Sequence, residues 1–112
     1  MNKKLVDSLR QDFPRVFRGG GGVECGDGWE PLIRRLCEKL EPMTAGEDGL
    51  YATQIKEKFG RLRFCIGTGS DAAYDAIDAA ETESGSICEN CGESGRTVDS
   101  HGWLQTLCRG CE

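Results

Sequence analysis

The cysteines carry the clearest chemistry in this chain. Cys88-Glu-Asn-Cys91 is followed, after 16 residues, by Cys108-Arg-Gly-Cys111, the two-pair spacing of a four-thiolate zinc site. Two residues between cysteines let a tight turn aim both sulfurs at one ion about 2.3 Å away. Gly92 and Gly110 suit such turns, because glycine takes positive φ without a Cβ clash. Four thiolates complete the coordination sphere of one Zn²⁺ and leave no position for water or substrate, so the expected role is structural. A segment of about 25 residues cannot bury enough apolar surface to fold alone, and metal would supply what its core lacks.

The remaining candidates are weaker. Cys25, in "ECGDGW", has no base near it in sequence to make it a nucleophile. Cys37 falls on an apolar helical stripe and reads as a small buried hydrophobe. His101 is the only histidine, and no second histidine or acid cluster accompanies it, so "SHGW" reads as a turn. With no acid, base and nucleophile set, the chain is expected not to be an enzyme.

These residues need elements to hold them. Leu5, Val6, Leu9 and Phe13 recur at helical spacing before Pro14, which predicts an N-terminal helix within 1–18. The glycines of "RGGGGVECGDGW" predict a mobile loop or linker over 19–28. No Gly-Lys-Ser/Thr follows them, so a phosphate-cradling loop is not supported. Asp27 is the expected cap of a second helix, with Pro31 in its first turn and Leu32, Ile33, Leu36, Cys37 and Leu40 on its apolar face. Pro42 should stop that helix.

"YATQIKEKFGRLRFCIG" predicts a β-hairpin turning at Glu57 to Gly60. Tyr51, Thr53 and Ile55 alternate on one strand and Leu62, Phe64 and Ile66 on the other. Lys56, Lys58, Arg61 and Arg63 crowd the opposite face with Cys65; against Glu57 they leave the stretch at +3. Ser70 should cap a third helix with Ala73, Tyr74, Ile77 and Ala80 inward. Its acids Asp71, Asp75, Asp78, Glu81 and Glu83 have no base among them, giving a solvated face or an acidic recognition surface. Between the cysteine pairs, "RTVDS" and "GWLQTL" read as a short β-ribbon.

The expected fold is therefore α+β: two or three helices, a β-hairpin and a C-terminal zinc-ribbon-like module. It divides into an N-terminal helix over 1–18, the Gly-rich loop over 19–28, a helix–hairpin–helix core over 29–84 and the zinc module over 85–112. The 112 residues suit one small domain. No apolar run approaches a membrane span, the first residues lack the apolar region of a secretory signal, and the seven cysteines are expected to stay reduced inside a cell. Net charge is −5, and a zinc ion on four thiolates would bring it to about −7, which argues against general DNA binding.

Three pieces, "ECGDGWEPLIRRLCEKLE", "QIKEKFGRLRF" and "CENCGESGRTVDSHGWLQTLC", together resemble a family of small, largely uncharacterised phage and prophage proteins with a C-terminal zinc-ribbon-like tail. The resemblance covers roughly residues 24–111. Members often carry an aromatic where this chain has Cys65, which argues against a chemical role for that thiol. The resemblance implies a mobile-element setting in the host cytoplasm, where small acidic proteins often bind and block a host machine. The expected partner is a host protein or defence complex, met through Asp71, Asp75 and Asp78 and the basic hairpin residues. The alternative is a nucleic-acid-binding zinc ribbon using Lys56, Lys58, Arg61 and Arg63, with Phe59 as a stacking residue.

Overall fold

Asn2 starts the first helix, α1 (Lys3–Asp12): its side chain accepts from the Lys4 amide at 2.7 Å, satisfying one of the amides a helix start leaves open. Leu9 on its inner face is fully buried, and the helix gives out at Phe13, just before Pro14. The computed structural model describes residues 1–112; it has three helices and two small sheets.

The glycine stretch is not a linker. Gly22–Glu24 forms a strand, β1, that pairs in parallel with β2 (Ala52–Lys58), Val23 standing opposite Ile55. Sheet hydrogen bonds outweigh glycine's poor strand preference here, which is why composition alone misled. At Gly21 glycine is required: a Cβ would come within 2.8 Å of the Thr53 carbonyl oxygen.

Between these strands runs α2 (Glu30–Met43), entered through a short 3-10 turn over Asp27–Trp29. Asp27 does not cap it; Trp29 holds that position, and the Asp27 carboxylate accepts the Asn2 amide at 2.6 Å. Pro42 does not stop the helix but lies inside its last turn, one residue before the end. Leu32, Ile33, Leu36, Cys37 and Leu40 are all buried, as the apolar stripe requires.

β2 turns into β3 (Arg61–Ile66) through Phe59 and Gly60, with Lys58 opposite Arg61. Both turn residues have positive φ, 54° and 83°. This is a two-residue type I′ loop, tighter than the sequence suggested. A register shift between Ala52 and Gln54 breaks the expected alternation on β2. Ala52 and Ile55, three apart, are buried while Thr53 is exposed.

α3 (Asp71–Ser84) starts at Ser70, whose side chain accepts the Ala73 amide. Ala73, Ile77, Ala80 and Ser84 face inward; Tyr74 does not, being 43% exposed. The helix covers the free edge of β3. Ser84 Oγ accepts the Leu62 amide at 3.0 Å and a Glu81 carboxylate oxygen accepts the Phe64 amide at 2.9 Å, which occupies donors an open edge would leave unpaired. Glu83 pairs with Arg35 at 2.6 Å. Two of the five acids read as unopposed thus have structural work, and Asp71, Asp75 and Asp78 are left free.

β4 (Arg96–Ser100) and β5 (Trp103–Leu107) form the second, antiparallel sheet. His101 and Gly102 repeat the type I′ geometry with φ of 55° and 85°, and Asp99 Oδ1 accepts the Gly102 amide at 2.8 Å. The shared core, with Trp29, Ile33, Leu40, Ile55 and Leu62 fully buried, lies between the helices and the three-stranded sheet. No helix is long and apolar enough to cross a membrane.

Candidate metal centre

The four cysteines predicted to act together do meet. The Sγ atoms of Cys88, Cys91, Cys108 and Cys111 all lie within 4.8 Å of one another, and those of Cys91 and Cys108 are 3.6 Å apart. A tetrahedral ion with bonds of about 2.3 Å would set its sulfurs about 3.8 Å apart. The cluster therefore fits a single metal ion after closing by about 1 Å at most.

Two turns at the open end of the β4–β5 ribbon build it, one before β4 and one after β5, where Arg96 pairs with Leu107. The first knuckle, Cys88 to Gly92, uses Gly92 at φ 85°; the Gly92 amide donates to the Cys88 carbonyl at 2.9 Å. The second is a 3-10 turn over Arg109–Cys111 closed by the Cys111 amide on the Cys108 carbonyl. Gly110 keeps ordinary φ there, so the positive-φ expectation holds for Gly92 alone.

The electrostatics favour a cation. Burial pushes the Cys88 thiol up, but the backbone amides of Cys108, Cys91 and Asn90 outweigh it and hold the group down at about 6. Cys91 gains from the Glu93 amide, yet the neighbouring Cys108, Cys88 and Cys111 sulfurs push it up to about 12. Cys111 is also raised: the Asn90 side chain opposes this, and the Cys108 and Cys88 sulfurs prevail. One negative charge is welcome among these sulfurs and further charge is resisted. A divalent ion removes that resistance.

The body of the protein holds the first knuckle in place. Trp29 Nε1 donates to the Ile87 carbonyl at 2.9 Å, the Gly28 amide to the Glu89 carbonyl at 2.7 Å, and the Gly26 amide to Glu89 Oε2 at 2.9 Å. At Gly28 a Cβ would collide with the Cys88 carbonyl oxygen and come within 2.6 Å of the Gly92 nitrogen. The ribbon is seated on the other hairpin too: Thr106 Oγ1 donates to the Gly60 carbonyl at 2.5 Å.

The other cysteines stay apart. Cys25 and Cys37 are buried, and burial first, with the Glu89 and Glu41 carboxylates respectively behind it, pushes each thiol up to about 12. Such thiols are poor nucleophiles. Cys65 stands opposite Gln54 at the far end of β3.

Of the residues read as a partner surface, Lys58, Arg61, Arg63 and Asp78 line one cleft of about 530 Å³ with Glu81. None of them is in an ion pair. Asp71 and Asp75 continue the Asp78 stripe along α3, seven and three residues earlier and outside the cleft. Lys56, half-buried on β2 opposite Arg63, is outside it as well.

A second cleft, of about 400 Å³, lies between the two hairpin tips and is lined by Glu57, Lys58, Phe59, His101, Trp103 and Leu104 among others. Phe59 is 72% exposed and Trp103 65%. Trp103 is the functional candidate that sequence reading missed, hidden inside a stretch read only as ribbon strand. Its available signal was a tryptophan directly after a His-Gly turn, at a hairpin tip with little to cover it.

No protein-family model, no curated protein and no solved structure matches the chain.

Proposed function

We propose that this protein is a non-enzymatic binding module whose tail is fixed by one structural Zn²⁺ on Cys88, Cys91, Cys108 and Cys111, and which acts by docking another protein. A full set of soft thiolates suits zinc and leaves no open coordination position for catalysis. The observation that carries the reading is the pair of exposed rings at adjacent hairpin tips, Phe59 and Trp103. Large exposed aromatics are uncommon on a free surface and common at the anchors of protein interfaces. The likeness to small phage and prophage proteins supports a host protein or defence complex as the partner.

The same rings favour one second reading. Phe59 and Trp103 beside Lys58, Arg61 and Arg63 also suit stacking of single-stranded bases. Against it, Asp78 and Glu81 share the cations' cleft, and the chain is acidic overall.

Quantitative affinity capture from host lysate tests the docking reading, comparing the parent with a Phe59→Asn, Trp103→Ala double variant. Asn suits the positive φ of residue 59. Loss of the same co-purified proteins in the variant, unaffected by nuclease, is expected. Capture that is identical in both, or that nuclease removes, overturns it.

A further inference from the structure

We infer that the cleft between the hairpin tips takes a cationic side chain, an arginine on a basic segment of the partner. This rests on the reading of the tips as a protein-docking surface and names the chemistry they recognise.

Phe59 and Trp103 expose their rings on either side of a cleft of about 400 Å³, with His101 and Leu104 between strand ends. Each ring belongs to a type I′ hairpin, and the two hairpins are bonded to each other through Thr106 and Gly60. The backbones that carry the rings are therefore tied together before any ligand arrives. Aromatic faces attract cations, guanidinium groups most readily because they also stack. The free protein already shows this preference: Lys58 Nζ stands 5.7 Å from the Phe59 ring centre.

Glu57 supplies the second observation. It lines the same cleft, and its Oε2 is buried with no hydrogen-bond partner. It belongs to none of the protein's ion pairs. A buried carboxylate oxygen without a donor is costly and is rarely left so. A guanidinium offers paired N–H donors matched to a carboxylate and a flat face matched to an aromatic wall. The net charge of −5 also draws a basic segment in and repels a phosphate chain.

Lys58 separates the two kinds of ligand by sign. For an arginine it is a competitor on the Phe59 face; for a nucleic acid it is a phosphate contact. The test is a titration of the zinc-loaded protein with an acetylated Gly-Arg-Gly-Arg-Gly peptide, followed by Trp103 emission, with the citrulline peptide and a dT12 oligonucleotide in parallel. The arginine peptide is expected to bind saturably below about 1 mM and the citrulline peptide not to bind. Glu57→Gln should weaken arginine binding about tenfold, as expected for loss of a charged hydrogen-bond partner. Lys58→Gln should strengthen it about two- to fivefold, the strength of one exposed cation–π contact. Lys58 is exposed and Glu57 half-buried, and unchanged zinc content and thermal melting would establish that both variants are folded. Equal binding of the two peptides, no loss in Glu57→Gln, or tighter binding of dT12 that Lys58→Gln weakens, overturns the proposal. Should the peptides fail while lysate capture still depends on Trp103, the docking reading stands and only the arginine assignment falls.

Discussion

The indole nitrogen of Trp29 donates to the backbone carbonyl of Ile87 at 2.9 Å, tying the start of α2 to the residue before Cys88. Trp29 is wholly buried in the main core, so the candidate metal centre is built on the body rather than hung from it. Trp29→Phe removes the donor, strands that carbonyl and leaves a small void where the indole's second ring packed. It should cost at least about 1–3 kcal/mol of stability, the cavity adding to the stranded carbonyl, and weaken zinc binding, although no ligand is touched. Gly28→Ala should weaken zinc binding as well, because its Cβ would push the Cys88–Gly92 turn away. Competition against a colorimetric chelator reads both. Unchanged zinc affinity in the two variants would mean that the tail folds independently of the body.

One zinc per chain is expected by elemental analysis, and Cys108→Ser should lose it. Its binding should also release protons, because the ligands bind as thiolates. With Cys88 already held down at about 6, that sulfur is mostly thiolate at neutral pH and contributes no proton. Calorimetry in buffers of different ionisation enthalpy should therefore report fewer than four protons released at pH 7.5. Affinity should fall as pH drops toward 6, when Cys88 too must lose a proton to bind. Four protons released, or affinity that rises on acidification, would contradict the charge distribution inferred for the cluster.

Much of this was legible in the sequence, and the failures share a cause. The cysteine pairs, the apolar stripe of α2 and the Leu62/Phe64 alternation are local periodic signals, so residue spacing is enough to read them. The glycine stretch does not read as a strand because its partners are remote: β1 exists only because β2 lies beside it, and Gly28 is glycine because Cys88 arrives sixty residues later. Glu81 and Glu83 looked like a bare acidic face for the same reason, since the Phe64 amide and Arg35 that occupy them lie on other elements. Trp103 escaped notice because exposure is a property of the folded surface and leaves no period in the chain.

Stability should fall in mild alkali through the buried thiols. Burial raises Cys37 to about 12 in the folded protein, whereas an unfolded thiol titrates near ~8.5. A raised folded value gives stability that is complete below the unfolded value and lost as pH rises above it. The loss for Cys37 is about 1.4 kcal/mol per pH unit beyond ~8.5. Urea unfolding at pH 7.5 and 9.5 with zinc in excess should show a steeper decline in the parent than in Cys37→Ala. Taking the difference between the two proteins removes the contribution of the metal ligands, which titrate identically in both. Parallel declines would place Cys37 in contact with water.

The two faces of β3 should respond oppositely to substitution. Leu62 is fully buried and its amide is bonded to Ser84 Oγ; Arg63, next to it, is exposed and unpaired. Leu62→Asp puts an unpartnered carboxylate into the core at a cost above about 4 kcal/mol and should unfold the domain. Arg63→Ala should move the melting temperature by a degree or two at most, within the ~0.5 kcal/mol typical of surface changes. Comparable damage from both would mean the strand is turned the other way.

Duplex DNA should not be bound appreciably at physiological salt. Lys58, Arg61 and Arg63 are the cations a phosphate would meet, and Asp78 and Glu81 line the same cleft. Charges that close cancel within a Debye length of about 8 Å. Three cations can neutralise about three phosphates at most, so the affinity they give falls by roughly the 2.7 power of salt concentration. Between ~50 and ~200 mM salt that is a loss of about fortyfold from an already weak start. Asp78 offers the sharper variant. Asp78→Lys would remove the nearest free acid and add a fourth cation to the cleft, so it should create weak, salt-sensitive DNA binding that the parent lacks. Fluorescence anisotropy with a labelled 20-base-pair duplex checks both proteins. Sub-micromolar binding by the parent at ~150 mM salt, abolished by Lys58→Gln, would instead make the basic hairpin a nucleic-acid interface and the aromatic tips its stacking platform.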